Sequence, residues 1–178
     1  MKKIIIYFDC DGVILNTIET AKQMAKEEGV NLCNRNEFDH FFQIVDWNIL
    51  IYRAGILDNA IRKIKKIMET EKYEVKILTK LSGNENEELI KRRLFAKLLP
   101  DVPVITLNID ENKDEIVNPA GNILIEDSID NAKRWNDANG VGLVLNFKKF
   151  NYENDIIDDI EKFEETSGVK RLLKTINY

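Results

Sequence analysis

The stretch Ile4-Ile5-Ile6-Tyr7-Phe8-Asp9-Cys10-Asp11-Gly12-Val13-Ile14-Leu15-Asn16 decides the fold. Ile4 to Phe8 are apolar or aromatic without a break, so the segment reads as a strand buried on both faces, as in a parallel sheet. Asp9 and Asp11 follow just past its C-terminal end, where ligands bind in open α/β sheets. Gly12 allows a sharp turn and a close approach of backbone to a ligand. Two neighbouring carboxylates repel, so the pair needs a cation, a shared proton or a division of labour. Taken alone, Asp-x-Asp-Gly also fits an acidic turn that closes a strand, since Asp and Gly are common turn residues. The rest of the chain weighs against that plainer reading.

Working outward, residues 17–28 carry Ile18, Ala21, Met24 and Ala25 at helical spacing, with Gly29 as the stop. Residues 36–45 and 47–54 read as two short helices in the most aromatic part of the chain. Asp58 opens a helix carrying Ile61, Ile64, Ile67 and Met68, and the run Arg62-Lys63-Ile64-Lys65-Lys66 reads as its solvated face. Residues 74–79 form the second predicted strand, with Thr79 at its end. Asn84 and Glu87 resemble a capping box that opens a helix running to about Leu99, before Pro100. Residues 102–107 are a third strand and 108–122 a polar, Asn-rich loop. Residues 123–125 are a fourth strand, ending in Glu126-Asp127-Ser128, and Asp127 or Ser128 caps a helix ending near Gly140. Residues 141–145 are a fifth strand. An acidic helix over 155–166 and a last basic helix with Val169, Leu172, Leu173 and Ile176 on one face follow.

This alternation predicts the α/β class: a Rossmann-like parallel sheet sandwiched by helices, with right-handed crossovers. Residues 17–73 break it, because no strand signal falls there. They are expected to form a small helical cap inserted after the first strand, with 1–16 and 74–178 as the core. Asp9/Asp11, Thr79 and Glu126/Asp127 then end three separate apolar strands and share one sheet edge.

Composition excludes several classes. The chain has 178 residues and a formal net charge of −5, which argues against a general pull toward nucleic acid or anionic membrane. Cys10 and Cys33 form no CxxC pair, so neither a disulfide framework nor a zinc site is expected. Cys10, between the two aspartates, reads as packing. His40, the single histidine, reads as a surface or packing residue. No stretch approaches the roughly 18 apolar residues of a membrane span. No signal peptide is seen, and a cytoplasmic location is the expectation.

Motif by motif, the chain resembles the haloacid dehalogenase-like (HAD) phosphohydrolase superfamily over about residues 3–145. Asp9-Cys10-Asp11-Gly12-Val13 is similar to its opening motif, Ile77-Leu78-Thr79 to its second, and Leu124-Ile125-Glu126-Asp127-Ser128 to its acidic fourth. Position 126 is Glu where many members have Asp. The third motif, a lysine, has several candidates: Lys91, Arg92, Arg93 and Lys97 lie on the helix after Thr79, and Lys113 lies in the following loop. The resemblance favours Lys91. It implies Mg²⁺-dependent hydrolysis of a small-molecule phosphate monoester through an aspartyl-phosphate. Asp9 is the implied nucleophile and Asp11 the general acid and base. Asp9, the Asp11 main-chain carbonyl and Asp127 are the implied metal ligands, with Glu126 behind them. Thr79 and Lys91 are the implied phosphate contacts. The helical insertion and Leu-Ile-Glu-Asp-Ser-x-x-Asn-x-x-x-Trp at 124–135 are most similar to the 5′(3′)-deoxyribonucleotidase branch, which implies a nucleoside monophosphate. A sugar-phosphate or phosphoglycolate-type phosphatase, a phosphomutase, or a non-catalytic phosphate-binding protein would share the same core residues. A polynucleotide phosphatase would want a basic groove, which the acidic balance does not favour.

Overall fold

The computed structural model describes residues 3–145. The two C-terminal helices expected over 155–166 and beyond Gly168 lie outside the described residues.

Five parallel strands form one sheet: β1 (Ile4–Phe8), β2 (Tyr73–Lys80), β3 (Val104–Leu107), β4 (Ile123–Glu126) and β5 (Val141–Val144), in the order β3-β2-β1-β4-β5. The expected α/β class is what the chain adopts. The unbroken apolar run of β1 is explained by its central place. Ile4, Ile6 and Phe8 pack on one side with Ile61, Ile64 and Ile67, and with Phe95 and Leu99. Ile5 and Tyr7 pack on the other side with Leu78, Leu107, Leu124 and Trp135. Each such fully buried side chain contributes about 2 kcal/mol relative to exposure.

The helices are α1 (Thr17–Glu27), α2 (Arg35–Ile44), α3 (Trp47–Ala54), α4 (Ala60–Glu69), α5 (Glu87–Leu98), α6 (Lys113–Ile116) and α7 (Ile129–Asp137). Local chemistry sets their starts. The side chains of Asn34, Asp46 and Ser128 each accept a backbone N–H of the first turn, at α2, α3 and α7 respectively. Helix α5 starts at Glu87, later than the expected box at Asn84. Asn84 Oδ1 accepts the Asn86 N–H at 3.0 Å ahead of that start, and its side-chain amide donates to the carbonyls of Gln43 and Val45, tying the loop after β2 to the end of α2.

The span expected as one insertion, 17–73, has two packing partners. Helices α1–α3 enclose a small core of their own, made by Ala21, Met24, Ala25, Phe41, Val45, Trp47 and Leu50. Helix α4 joins the sheet's core through Ala60, Ile61, Ile64 and Ile67. Lys63, expected on a solvated basic face, is buried and donates to Asp58 at 2.9 Å. The Asn-rich segment 108–122, expected as loop, contains α6. Its start pairs the Asn112 side-chain amide with Glu115 three residues on. Among the described residues, no helix is long and apolar enough to cross a membrane.

Candidate active site

The sheet order reverses direction between β1 and β4, and a crevice opens outside the C-terminal ends of strands at such a point. Asp9 follows β1, and Glu126 and Asp127 lie at the end of β4. The backbone N–H of Asp9 donates to the Ile125 carbonyl at 2.9 Å, which sets the two strand ends side by side. A cleft of about 320 Å³ lies over this edge. Asp9, Asp11, Lys113, Glu126 and Asp127 form its floor, and Phe38, Asp39, Phe42 and Gln43 of α2 form part of its wall.

After Phe8 the chain does not continue as a straight strand. The Cys10 carbonyl accepts from the N–H groups of Ile14 and Leu15, and Gly12 N–H donates to the Leu15 carbonyl. Gly12 has φ +74°, and a Cβ there would overlap the Asp127 carboxyl group. Only glycine fits, so this loop lets β1 approach the end of β4. Cys10 is fully buried in the apolar core, and burial pushes its thiol well above the ordinary range.

The turn sends the two aspartates to different partners. Asp9 is paired with Lys113, whose Nζ lies 2.8 Å from Asp9 Oδ1 and 2.6 Å from Glu126 Oε2. Glu126 is 1% exposed and its other oxygen accepts the Ser128 N–H. Asp11 accepts from Thr17 Oγ1 at 2.6 Å on one oxygen and from Lys91 Nζ at 2.5 Å on the other. Lys91 also lies 2.6 Å from Glu87 Oε1.

Lysine was the least regular motif in the sequence, and two lysines pair with the aspartates of the site, while Lys80 also lines the cleft. Lys113 lines the cleft, whereas Lys91, favoured from sequence, lies beneath it and is fully buried. Thr79 is buried beside Lys91, with Oγ1 3.5 Å from Asp11 Oδ2. Arg92 points away, to the Val104 carbonyl and Thr106. Glu87 and Thr17 were not singled out as site residues. The i,i+4 spacing of Glu87 and Lys91 was readable, but such pairs usually stand on a solvated face.

Carboxylates outnumber cations here. Ligand oxygens of Asp9, Glu126 and Asp127 lie within 4.8 Å of one another. Two unit charges 4.8 Å apart repel by about 3.5 kcal/mol at an effective dielectric constant of about 20. Burial, with Glu126 adding to it, pushes the Asp9 carboxyl up to about 7, even with Lys113 opposing. Burial and the nearby Asp9 raise Asp127 as well. Burial pulls both ammonium groups down, but the facing carboxylates outweigh it and hold Lys91 and Lys113 above the ordinary lysine range. A site short of positive charge, with carboxylate oxygens grouped on its floor, suits a hard divalent cation such as Mg²⁺.

No protein-family model matches the chain, and no curated protein sequence does. Solved structures do. The chain is similar to the HAD-hydrolase YfnB of Bacillus subtilis, solved bound to magnesium, at 14% identity and a TM-score of 0.52, covering 82% of this chain and 88% of that one. It is similar to a HAD-superfamily hydrolase, subfamily IA, variant 1, from Geobacter sulfurreducens at 13% identity and a TM-score of 0.53, covering 80% and 89%. A predicted HAD-like family hydrolase from Porphyromonas gingivalis gives 16% and 0.52, covering 94% and 100%. The chain therefore has the fold of the HAD-superfamily hydrolases.

Proposed function

We propose that this protein is a Mg²⁺-dependent phosphomonoesterase that works through an aspartyl-phosphate on Asp9. The observation that carries the reading is the meeting of Asp9, Asp11 and Asp127 with Lys113 in one cleft at the sheet's switch point. Asp9, Asp127 and the Asp11 main-chain carbonyl would hold the cation. When bound, Mg²⁺ screens the repulsion between an anionic phosphate and the Asp9 carboxylate.

The residues divide the chemistry as follows. An Asp9 carboxylate oxygen attacks phosphorus, and the ester P–O bond breaks with its electron pair on the leaving oxygen. The Asp11 carboxyl gives that oxygen a proton, so an alcohol departs. Water then attacks the phosphoryl group and gives its proton to the Asp11 carboxylate. The Asp9–phosphorus bond breaks, which restores the Asp9 carboxylate and frees phosphate. Lys113 has an N–H beyond those directed at Asp9 and Glu126, and it would neutralise phosphoryl oxygens during both transfers. Thr79 would support Asp11 from below.

The substrate class we propose is a nucleoside monophosphate, with α1–α3 acting as the cap that receives its base. Support comes from the cleft wall. Phe38 and Phe42 have ring centroids 6.0 Å apart, and Trp47 backs Phe42 edge-on at 5.3 Å. Aromatic faces of this kind stack on planar rings, and Asp39 and Gln43 stand beside them with hydrogen-bonding groups. Such an enzyme would work in the cytoplasm, where Cys10 and Cys33 stay free thiols, as they are here.

The test is phosphate release from nucleoside monophosphates and sugar phosphates, with Mg²⁺ or EDTA, in the wild type and in Asp9→Asn. The expected result is Mg²⁺-dependent release from nucleotides that Asp9→Asn abolishes. Full turnover by a folded Asp9→Asn variant would overturn the nucleophile assignment. Release from sugar phosphates alone would keep the mechanism and replace the substrate class. Ligand binding with no release from any ester would mark a binding protein.

A further inference from the structure

We infer that Lys91 is a positioning residue for Asp11, braced by Glu87, and that it does not bind phosphate. This rests on the phosphomonoesterase reading above.

The acceptors around Lys91 leave it no free donor. Its Nζ lies 2.5 Å from Asp11 Oδ2, 2.6 Å from Glu87 Oε1, 3.1 Å from Thr79 Oγ1 and 3.2 Å from the Lys80 carbonyl. An ammonium group has three N–H donors, and Asp11 Oδ2, Thr79 Oγ1 and the Lys80 carbonyl accept them, while Glu87 Oε1 faces the group as an ion pair. The Trp47 ring covers the group at 4.8 Å from its centroid, and the side chain has no exposed surface. A phosphate oxygen would have to displace a partner to reach it.

Asp11, by contrast, is pinned at both oxygens: Thr17 holds Oδ1 and Lys91 holds Oδ2. The far end of the brace is equally fixed. Glu87 Oε2 accepts from both the N–H and the Oγ of Ser82 at 2.6 Å. Helix geometry supplies the rest, because residues four apart share one face, and this face of α5 is buried. A proton donor must sit within hydrogen-bond reach of the leaving oxygen, and a small misplacement is costly in rate. Lys91 therefore serves the proton transfer made by Asp11, while phosphate is left to Lys113.

The test separates leaving groups. p-Nitrophenolate departs without a proton, whereas the alkoxide of a nucleoside 5′-monophosphate needs one. The ratio kcat/KM covers transfer to Asp9, so it reads this difference. With Mg²⁺ present, Lys91→Met is expected to lower kcat/KM on the nucleotide roughly 10²-fold and on p-nitrophenyl phosphate by no more than about fivefold. Inhibition by inorganic phosphate is expected to stay as in the wild type. An equal loss on both esters, with or without weaker phosphate inhibition, would overturn the assignment. Lys91→Met leaves Glu87 buried and unpaired, so the double variant Glu87→Gln/Lys91→Met carries the same comparison if the single variant does not fold. A wild-type protein that releases no phosphate from either ester or from sugar phosphates overturns the phosphatase reading and this inference together. An active wild type with an even loss in the variants overturns only the inference.

Discussion

Lys113 and Lys91 each bridge one aspartate of the Asp9-Cys10-Asp11 turn to a buried glutamate, yet they differ in what else reaches the ammonium group. Lys113 faces two carboxylates, Asp9 and Glu126, and lines the cleft. Lys91 faces two carboxylates, a hydroxyl and a carbonyl beneath an indole ring, away from the cleft. Similar charge pairing therefore serves two ends. A buried lysine with a donor to spare beside a cleft can take an anion. One whose donors are used up holds its neighbours still. Their supports differ as well: Lys113 opens the four-residue α6, whereas Lys91 sits within the twelve-residue α5.

Removing Lys113 is the most damaging way to break this comparison. Lys113→Met leaves Asp9 and Glu126 buried with no cation between them. Breaking a buried pair from one side costs about 3–5 kcal/mol, so a large drop in unfolding midpoint is expected in chemical denaturation. Activity is expected to fall roughly 10³-fold, as for loss of a group that faces the developing charge, and equally on activated and unactivated esters. That even loss is the opposite of the pattern expected for Lys91→Met. If Lys113→Met showed the leaving-group dependence instead, the two lysines would have exchanged roles.

A smaller effect is expected from Gly12→Ala, which acts on the cation without touching either lysine. The added Cβ would meet the Asp127 carboxyl group, and the residue would keep an unfavourable positive φ. Asp127 must shift, so the Mg²⁺ concentration for half-maximal activity is expected to rise about 10-fold, the range found when the surroundings of a ligand are disturbed. Unchanged Mg²⁺ dependence in a folded variant would count against Asp127 as a ligand.

Much of this arrangement was legible before the structure. The apolar runs before Asp9 and Glu126-Asp127 read as parallel strands because burial on both faces leaves no polar residue inside them. The strand before Thr79 instead carries Glu74 and Lys76 in its first half and is apolar without a break only at Ile77 and Leu78. Their meeting follows from topology, since parallel strands share a C-terminal edge. The partners of the aspartates were harder to see. Helix α6 is too short to show a period, and its start at Asn112 and Glu115 is the one local sign of it. Residues Glu87 and Lys91 look like a solvated pair in sequence, and only the packing of α5 against Trp47 and Asp11 buries them. Lys63 misled for the same reason, because its burial against Asp58 depends on the sheet beneath α4. Charge sign is written in the sequence, but desolvation is a property of the assembled fold.

The smallest expected effect comes from the residue beside Lys91. Arg92 was a sequence candidate for the phosphate, yet it stands on the outer face of α5. It donates to the Val104 carbonyl and to Thr106 on β3, the edge strand, and pairs with Glu88 at 2.8 Å with both side chains nearly half exposed. Exposed pairs of this kind contribute about 0.2–1 kcal/mol, so Arg92→Ala is expected to lower thermal stability by a few degrees at most. Its kcat/KM and its inhibition by phosphate should match the wild type on both esters. One step along the same helix would then separate a brace inside the site from a clasp on the sheet edge. A loss of activity in Arg92→Ala as large as that in Lys91→Met would show that α5 acts as a whole, and that the contacts of Lys91 are not what positions Asp11.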